Sequence, residues 1–227
     1  GKMKMCLLRK TKVNPKYINA LELIEKNNIS NIRKRIKILV VDDESDDIYN
    51  ILRERQYDVY YKNDMNYAVE AEPFEIIIMD IKGVAKRLQS SMEGFSLAGE
   101  VKQKYPLKRV CCYSGSIHAE ISEQLADKKI DAFFPKDMEM DKICEKIDRL
   151  ILDYVDYKKQ WEIIRKQLLD CNTSDEDIEM IYEAYTQGFE NGNISLLSNT
   201  IIERLKNGTT MLNICSAVIN LIKVLVV

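Results

Sequence analysis

Histidine occurs once in the 227 residues, as His118, so a metal site built from several histidines is excluded. The six cysteines include no CxxC pair, and Cys111 and Cys112 are adjacent. That spacing suits neither a zinc site nor an ordinary disulfide framework. Most of the thiols fall inside apolar patterns, where they act as small hydrophobes, and a reducing, cytoplasmic setting is expected. No stretch of about 18 apolar residues free of charge occurs, so no membrane span is expected. The first twelve residues are basic and lack the apolar core of a signal peptide. Charge of one sign is also scarce overall, with 34 Lys and Arg against 36 Asp and Glu, a net of −2.

What is present is uneven along the chain. Residues 1–35 carry 10 basic and 2 acidic side chains, a net of +8. Residues 36–150 carry −6 and residues 151–227 carry −4. Three segments follow from these steps: a basic helical leader over 1–35, a domain over 36–150 and a third unit over 151–227. In the leader, Asn14-Pro15 reads as a helix cap and first turn, and Ile18, Leu21 and Ile24 have helical spacing. A solvated helix packed on its neighbour explains this leader better than a nucleic-acid contact does.

From Ile36 the pattern becomes alternating. Short apolar runs at Ile38–Val41, Ile76–Met79, Arg109–Tyr113 and Ala132–Pro135 read as strands buried on both faces. Asp58–Tyr61 is a weaker strand between the first two. Helices are expected at about 45–55, 64–71, 93–104 and 118–128, the first two about a turn short. The alternation predicts a doubly wound α/β domain with a five-stranded parallel sheet, followed by a small all-α domain.

Polar residues sit where the strands end. Asp42 and Asp43, Asp80, Ser114 and Lys136 follow four different runs. In an open parallel sheet those ends face one crevice, where ligands bind. Three close carboxylates repel one another unless a cation joins them, and hard oxygen ligands with open positions suit Mg²⁺. A carboxylate can itself attack phosphorus, while an ammonium and a hydroxyl hold the remaining phosphoryl oxygens. The set reads as a site for phosphoryl transfer to Asp80.

Four segments in order resemble the receiver domain of two-component response regulators over about residues 36–140. They are Lys37-Ile-Leu-Val-Val-Asp-Asp-Glu44, Ile76-Ile-Ile-Met-Asp80, Tyr113-Ser-Gly115 and Phe133-Phe-Pro-Lys136. The resemblance implies a receiver or flavodoxin-like fold, Asp80 as phosphoacceptor, and a sensor histidine kinase or phosphotransfer protein as donor. It further implies Mg²⁺ held by Asp43 directly, by Asp42 through water, by Asp80 and by the backbone carbonyl of Lys82. Ser114 would move toward the phosphoryl group, Lys136 would neutralise it, and Phe133 occupies the aromatic switch position.

Two departures stand out. Asp137 follows Lys136 where the family has proline, which puts the family's cis peptide bond there in doubt. The segment from Ile81 to Glu93 is long and carries Lys82, Lys86 and Arg87 beside an acidic site. It reads equally well as a gate or partner surface and as a tolerated surface insertion. His118 has no evident catalytic partner and is expected at the surface.

Beyond the domain, Ile143, Ile147, Leu150, Tyr154, Tyr157, Trp161, Ile164 and Leu168 follow intervals of 4 and 3. This predicts one helix running out of the receiver as a connector. Its aromatic positions suit packing on helices of this chain at least as well as a coiled-coil homodimer. Three helices are expected after it, at about 175–189, 194–206 and 210–225, with Ser174 and Asp177 as a capping box. The −4 charge argues against DNA binding, and no basic recognition helix is present. A helical RNA-binding antiterminator module fits by architecture and lacks the charge. Output through a protein partner is expected, without enzymatic activity and without a membrane partner. Two alternatives remain open: a pseudo-receiver that docks independently of phosphorylation, and a Toprim-like metal enzyme. The latter lacks its first-strand glutamate and its Asp-x-Asp.

Overall fold

The computed structural model describes residues 29–45, 47–88, 93–115, 130–191, 194–205, 214, 216–218 and 221. The expected leader helix near 14–26, the helix near 118–128 with His118, and most of the helix near 210–225 lie outside these residues.

Five strands form one parallel sheet: β1 (Lys37–Val41), β2 (Asp58–Lys62), β3 (Ile76–Asp80), β4 (Arg109–Ser114) and β5 (Ala132–Pro135). Their order is β2-β1-β3-β4-β5. Every residue of β3 and β4 is buried, as their unbroken apolar runs require. β2, the weaker strand, is half-exposed at the edge.

Side chains alternate across a strand, so each apolar run divides between two cores. Ile38, Val40, Ile76, Ile78, Cys111 and Phe134 pack on one face, against Ile48 and Leu52 of α2 (Asp47–Glu54) and Ile147 and Ile151 of α4 (Met140–Val155). Leu39, Val41, Ile77, Met79, Val110 and Cys112 pack on the other, against Phe95, Leu97 and Val101 of α3 (Glu93–Lys104). A short leading helix, α1 (Ile29–Arg33), joins the first core through Ile32. Its Arg33 pairs with Asp148 of α4, and Tyr57 Oη donates to the same carboxylate at 2.9 Å.

Two expectations are corrected. The segment 64–71 holds only a 3₁₀ turn, Ala68–Ala71. There Glu70 Oε1 accepts from the backbone of Asn66 and Tyr67 at 2.9 and 3.0 Å, closing a tight turn in place of a helix. The single connector helix is two helices. α4 ends at Val155, and α5 (Tyr157–Asp170) starts anew after Asp156. The Asp156 carboxylate accepts from the backbone N–H groups of Lys158 and Lys159, an N-cap that competes with helix continuation.

The seam of 4 and 3 intervals therefore serves two cores. Ile143 to Tyr154 belong to the sheet's core, while Trp161, Ile164 and Leu168 belong to a third one. That third core adds α6 (Asp175–Asn191) and α7 (Ile194–Arg204) through Ile178, Ile181, Tyr185, Leu197 and Ile201. Leu107, in the turn before β4, inserts into it, so the helical unit docks at the amino ends of the strands. Ser174 Oγ accepts from Asp177 N at 3.1 Å and donates to its carboxylate at 2.7 Å. No helix among the described residues is long and apolar enough to cross a membrane.

Candidate functional site

β1 ends at Val41, which delivers Asp42 and Asp43 to the carboxyl edge of the sheet. Asp80 is the last residue of β3. β4 places Tyr113 beside Asp80 in register, and Ser114, paired with Pro135, one residue beyond. Lys136 follows β5, and its backbone N–H donates to the Ser114 carbonyl at 2.9 Å. The strand ends thus bring together the five residues that the sequence singles out.

Asp42 and Asp80 are 1% and 5% exposed. Asp80 Oδ1 accepts from the backbone N–H of Ile81 at 2.6 Å and, more weakly, of Lys82 at 3.4 Å. Its Oδ2 accepts from Lys136 Nζ at 2.7 Å. Asp42 Oδ1 accepts from the N–H of Glu44 and Ser45 at 2.9 and 3.1 Å. Asp42 Oδ2 lies 3.2 Å from Lys136 Nζ yet has no hydrogen bond of acceptable geometry. A buried anionic oxygen without a hydrogen bond is costly unless something else occupies its lone pairs. One carboxylate oxygen from each of Asp42, Asp43 and Asp80 lies within 4.8 Å of the others. This all-oxygen donor set, with one oxygen left over, fits a small hard cation such as Mg²⁺.

Burial alone would lower the basicity of Lys136, but the hydrogen bond and charge of Asp80, then the nearby charge of Asp42, outweigh it and raise it. The ammonium stays charged and also lies 5.3 Å from the centre of the Tyr113 ring. Burial, with the Asp80 charge behind it, pushes the Cys112 thiol up to about 12. Cys112 is therefore a protonated, unreactive neighbour of the carboxylates. Ser114 is buried, and Phe133 is half-buried against the second core. Lys82 is exposed.

Three further residues shape the site and escaped sequence reasoning. Gly83 has φ +78°, and a Cβ there would lie 2.0 Å from Asp43 Oδ1. Only glycine lets the chain turn this closely over the carboxylate. A Cβ at Gly94 would meet the Asp80 carbonyl oxygen at 1.8 Å, so helix α3 starts directly against the backbone of Asp80. Asp64 Oδ1 accepts from Ala85 N at 2.6 Å and ties the loop after Asp80 to the loop after β2. Nothing in the sequence says what the two glycines approach. The peptide bond after Lys136 is trans, as the absence of proline suggests.

A parallel sheet ordered β2-β1-β3-β4-β5, with its acidic cluster at the carboxyl ends, is the flavodoxin-like arrangement that receivers share. The sheet fits a receiver domain. Among solved structures, the chain is similar to a CheY-like response regulator receiver domain protein from Methanospirillum hungatei JF-1. The match has 23% identity and a TM-score of 0.44, over 52% of this chain and 95% of that one. It is similar to the receiver domain of NtrX from Brucella abortus at 24% identity and a TM-score of 0.41, over 50% and 97% of the two chains. Chemotaxis protein CheY4 of Vibrio cholerae matches at 18% identity and a TM-score of 0.40, over 51% and 98%. No protein-family model and no curated protein matches the chain. The flavodoxin-like fold accordingly rests on strand order and register, and it covers the sheet domain alone.

Proposed function

We propose that the chain is a response-regulator-type signalling protein whose Asp80 accepts a phosphoryl group from a histidine kinase or phosphotransfer protein. The observation that carries this reading is the buried Asp42 Oδ2, without a hydrogen bond, facing two further carboxylates beside Lys136. An oxygen of Asp80 attacks phosphorus as the P–N bond of the donor phosphohistidine breaks. The departing imidazole keeps the electron pair and takes a proton from water. Asp42, Asp43, Asp80 and the carbonyl of Lys82 would hold Mg²⁺, which when bound offsets charge on the carboxylates and on the phosphoryl oxygens. Lys136, already on Asp80, stays to pair with the added phosphate, and the Ser114 hydroxyl donates to a phosphoryl oxygen. Phe133 shifts with Ser114 and carries the change to a protein-binding surface. The helical unit then acts through a protein partner in the cytoplasm, and the chain itself is no enzyme.

Beryllofluoride with Mg²⁺ tests this reading by fluorine NMR. A bound signal is expected for the natural chain and none for Asp80→Asn. No bound signal at millimolar reagent overturns it.

One observation favours a second reading. Lys136 and Lys86 already neutralise much of the cluster, at 2.7 Å from Asp80 and 3.3 Å from Asp43. A constitutive docking module needs no more than that. Output unchanged by Asp80→Ala would favour it over the first.

A further inference from the structure

The loop after Asp80 differs from an ordinary surface insertion over its first half. Val84 and Ala85 are fully buried in the second core. Gly83 and Ala85 both take positive φ, +78° and 57°. That is a cost for alanine, borne only where the surroundings enforce the conformation. Ala85 N donates to Asp64 Oδ1, and Leu88 N donates to the Ala85 carbonyl at 2.9 Å. Arg87 lies 4.7 Å from the centre of the Tyr67 ring and pairs with Glu100 at 3.2 Å. Lys86 sits between these anchors, and its Nζ is 3.3 Å from Asp43 Oδ2.

Asp43 is the exposed member of the three-carboxylate set, the side from which a hydrated ion would enter. We infer that Lys86 is a tethered cation that competes with the divalent metal for Asp43 and so sets the metal affinity of the site. This rests on the proposed Mg²⁺ site. An anchored backbone holds the ammonium at high local concentration, so its competition is intramolecular. Lys136 differs from it, since it is bonded to Asp80 from within and stays in place when a metal binds. Lys86 is mostly exposed, so it can swing out to solvent when displaced. The long basic loop is then an affinity setting for the metal, and through the metal for phosphorylation.

Calorimetric titration of the full chain with MgCl₂ tests this, with Lys86→Met beside Lys104→Met. Lys104 is also exposed and lies on α3 near Tyr105, so its loss removes the same charge away from Asp43. Lys86→Met is expected to tighten Mg²⁺ binding by about two- to tenfold, as loss of a near-surface ion pair permits. Lys104→Met should leave it unchanged, and the gain should shrink in high salt. Equal affinity in the natural chain and Lys86→Met overturns the inference while the Mg²⁺ site stands. Equal tightening by both variants overturns it as an effect of net charge. Binding by Lys86→Met alone supports it in its strongest form. Absence of binding in all three chains overturns the Mg²⁺ site and the inference together.

Discussion

At the amino end of β5, Asp131 takes hydrogen bonds from Lys102 at 2.9 and 2.7 Å and from Val110 N at 2.8 Å. Arg109 lies 4.0 Å away and donates to the carbonyl of Asp153 at 2.9 Å, near the end of α4. At the carboxyl end of β1, Asp42 is more deeply buried, and one of its oxygens has no hydrogen bond. Both carboxylates flank strands of one sheet. One is saturated by its surroundings and locks the turn beneath the helical unit. The other keeps an oxygen that forms an ion pair with Lys136 at 3.2 Å but no hydrogen bond, beside two further carboxylates. Among the described residues only Asp42 Oδ2 and, in the helical unit, Gln160 Oε1 are buried without a hydrogen bond, and of the two only Asp42 stands among further carboxylates.

The largest expected effect tests the saturated end. Asp131→Ala strands Lys102 and should cost about 3 kcal/mol in urea unfolding, the lower end of the scale for breaking a buried ion pair because this one is partly exposed. Mg²⁺ affinity should stay as it was. A loss of metal binding without loss of stability would erase the contrast between the two ends.

Gly83→Ala tests the other end. Positive φ and the approach to Asp43 should cost about 1 kcal/mol of stability and displace the carboxylate, so Mg²⁺ binding weakens by more than Lys86→Met strengthens it. Unchanged Mg²⁺ affinity would show that the close approach of the loop does not position Asp43.

The smallest effect concerns Lys108, which donates to the carbonyls of Glu72 and Phe74 at the amino end. Burial lowers its ammonium to about 8, opposed by Glu75 and Glu72. The folded protein therefore binds fewer protons than the unfolded chain between pH 8 and the ordinary lysine range, and this group makes stability rise with pH there. Urea midpoints across that window should climb less steeply in Lys108→Met. An identical slope would remove Lys108 as the cause.

Much of this architecture was readable in the residues. Four apolar runs ending in Asp, Asp, Ser and Lys placed the strands and their polar ends, because a strand buried on both faces must be apolar until it reaches water. The half-exposed β2 was the weakest of the five runs for the same reason. The two errors have local causes. The 64–71 segment has a helical look, but Glu70 turns back to cap it. The seam from Ile143 to Leu168 has one period, yet Asp156 ends the first helix within it. Hydrophobic periodicity reports which residues are buried and is silent on which core buries them.

From the sequence alone come the parallel strands, the acidic set with its lysine, and the charge of each segment, since these depend on residue type and order. Tertiary structure decided the rest. It split four of the five strands between two cores, seated the helical unit on Leu107 at the end away from the acids, and brought Gly83 and Lys86 onto Asp43. Those contacts join residues distant in sequence or depend on the path of one loop, and their energies arise only when folding removes water and sets the groups a few ångströms apart.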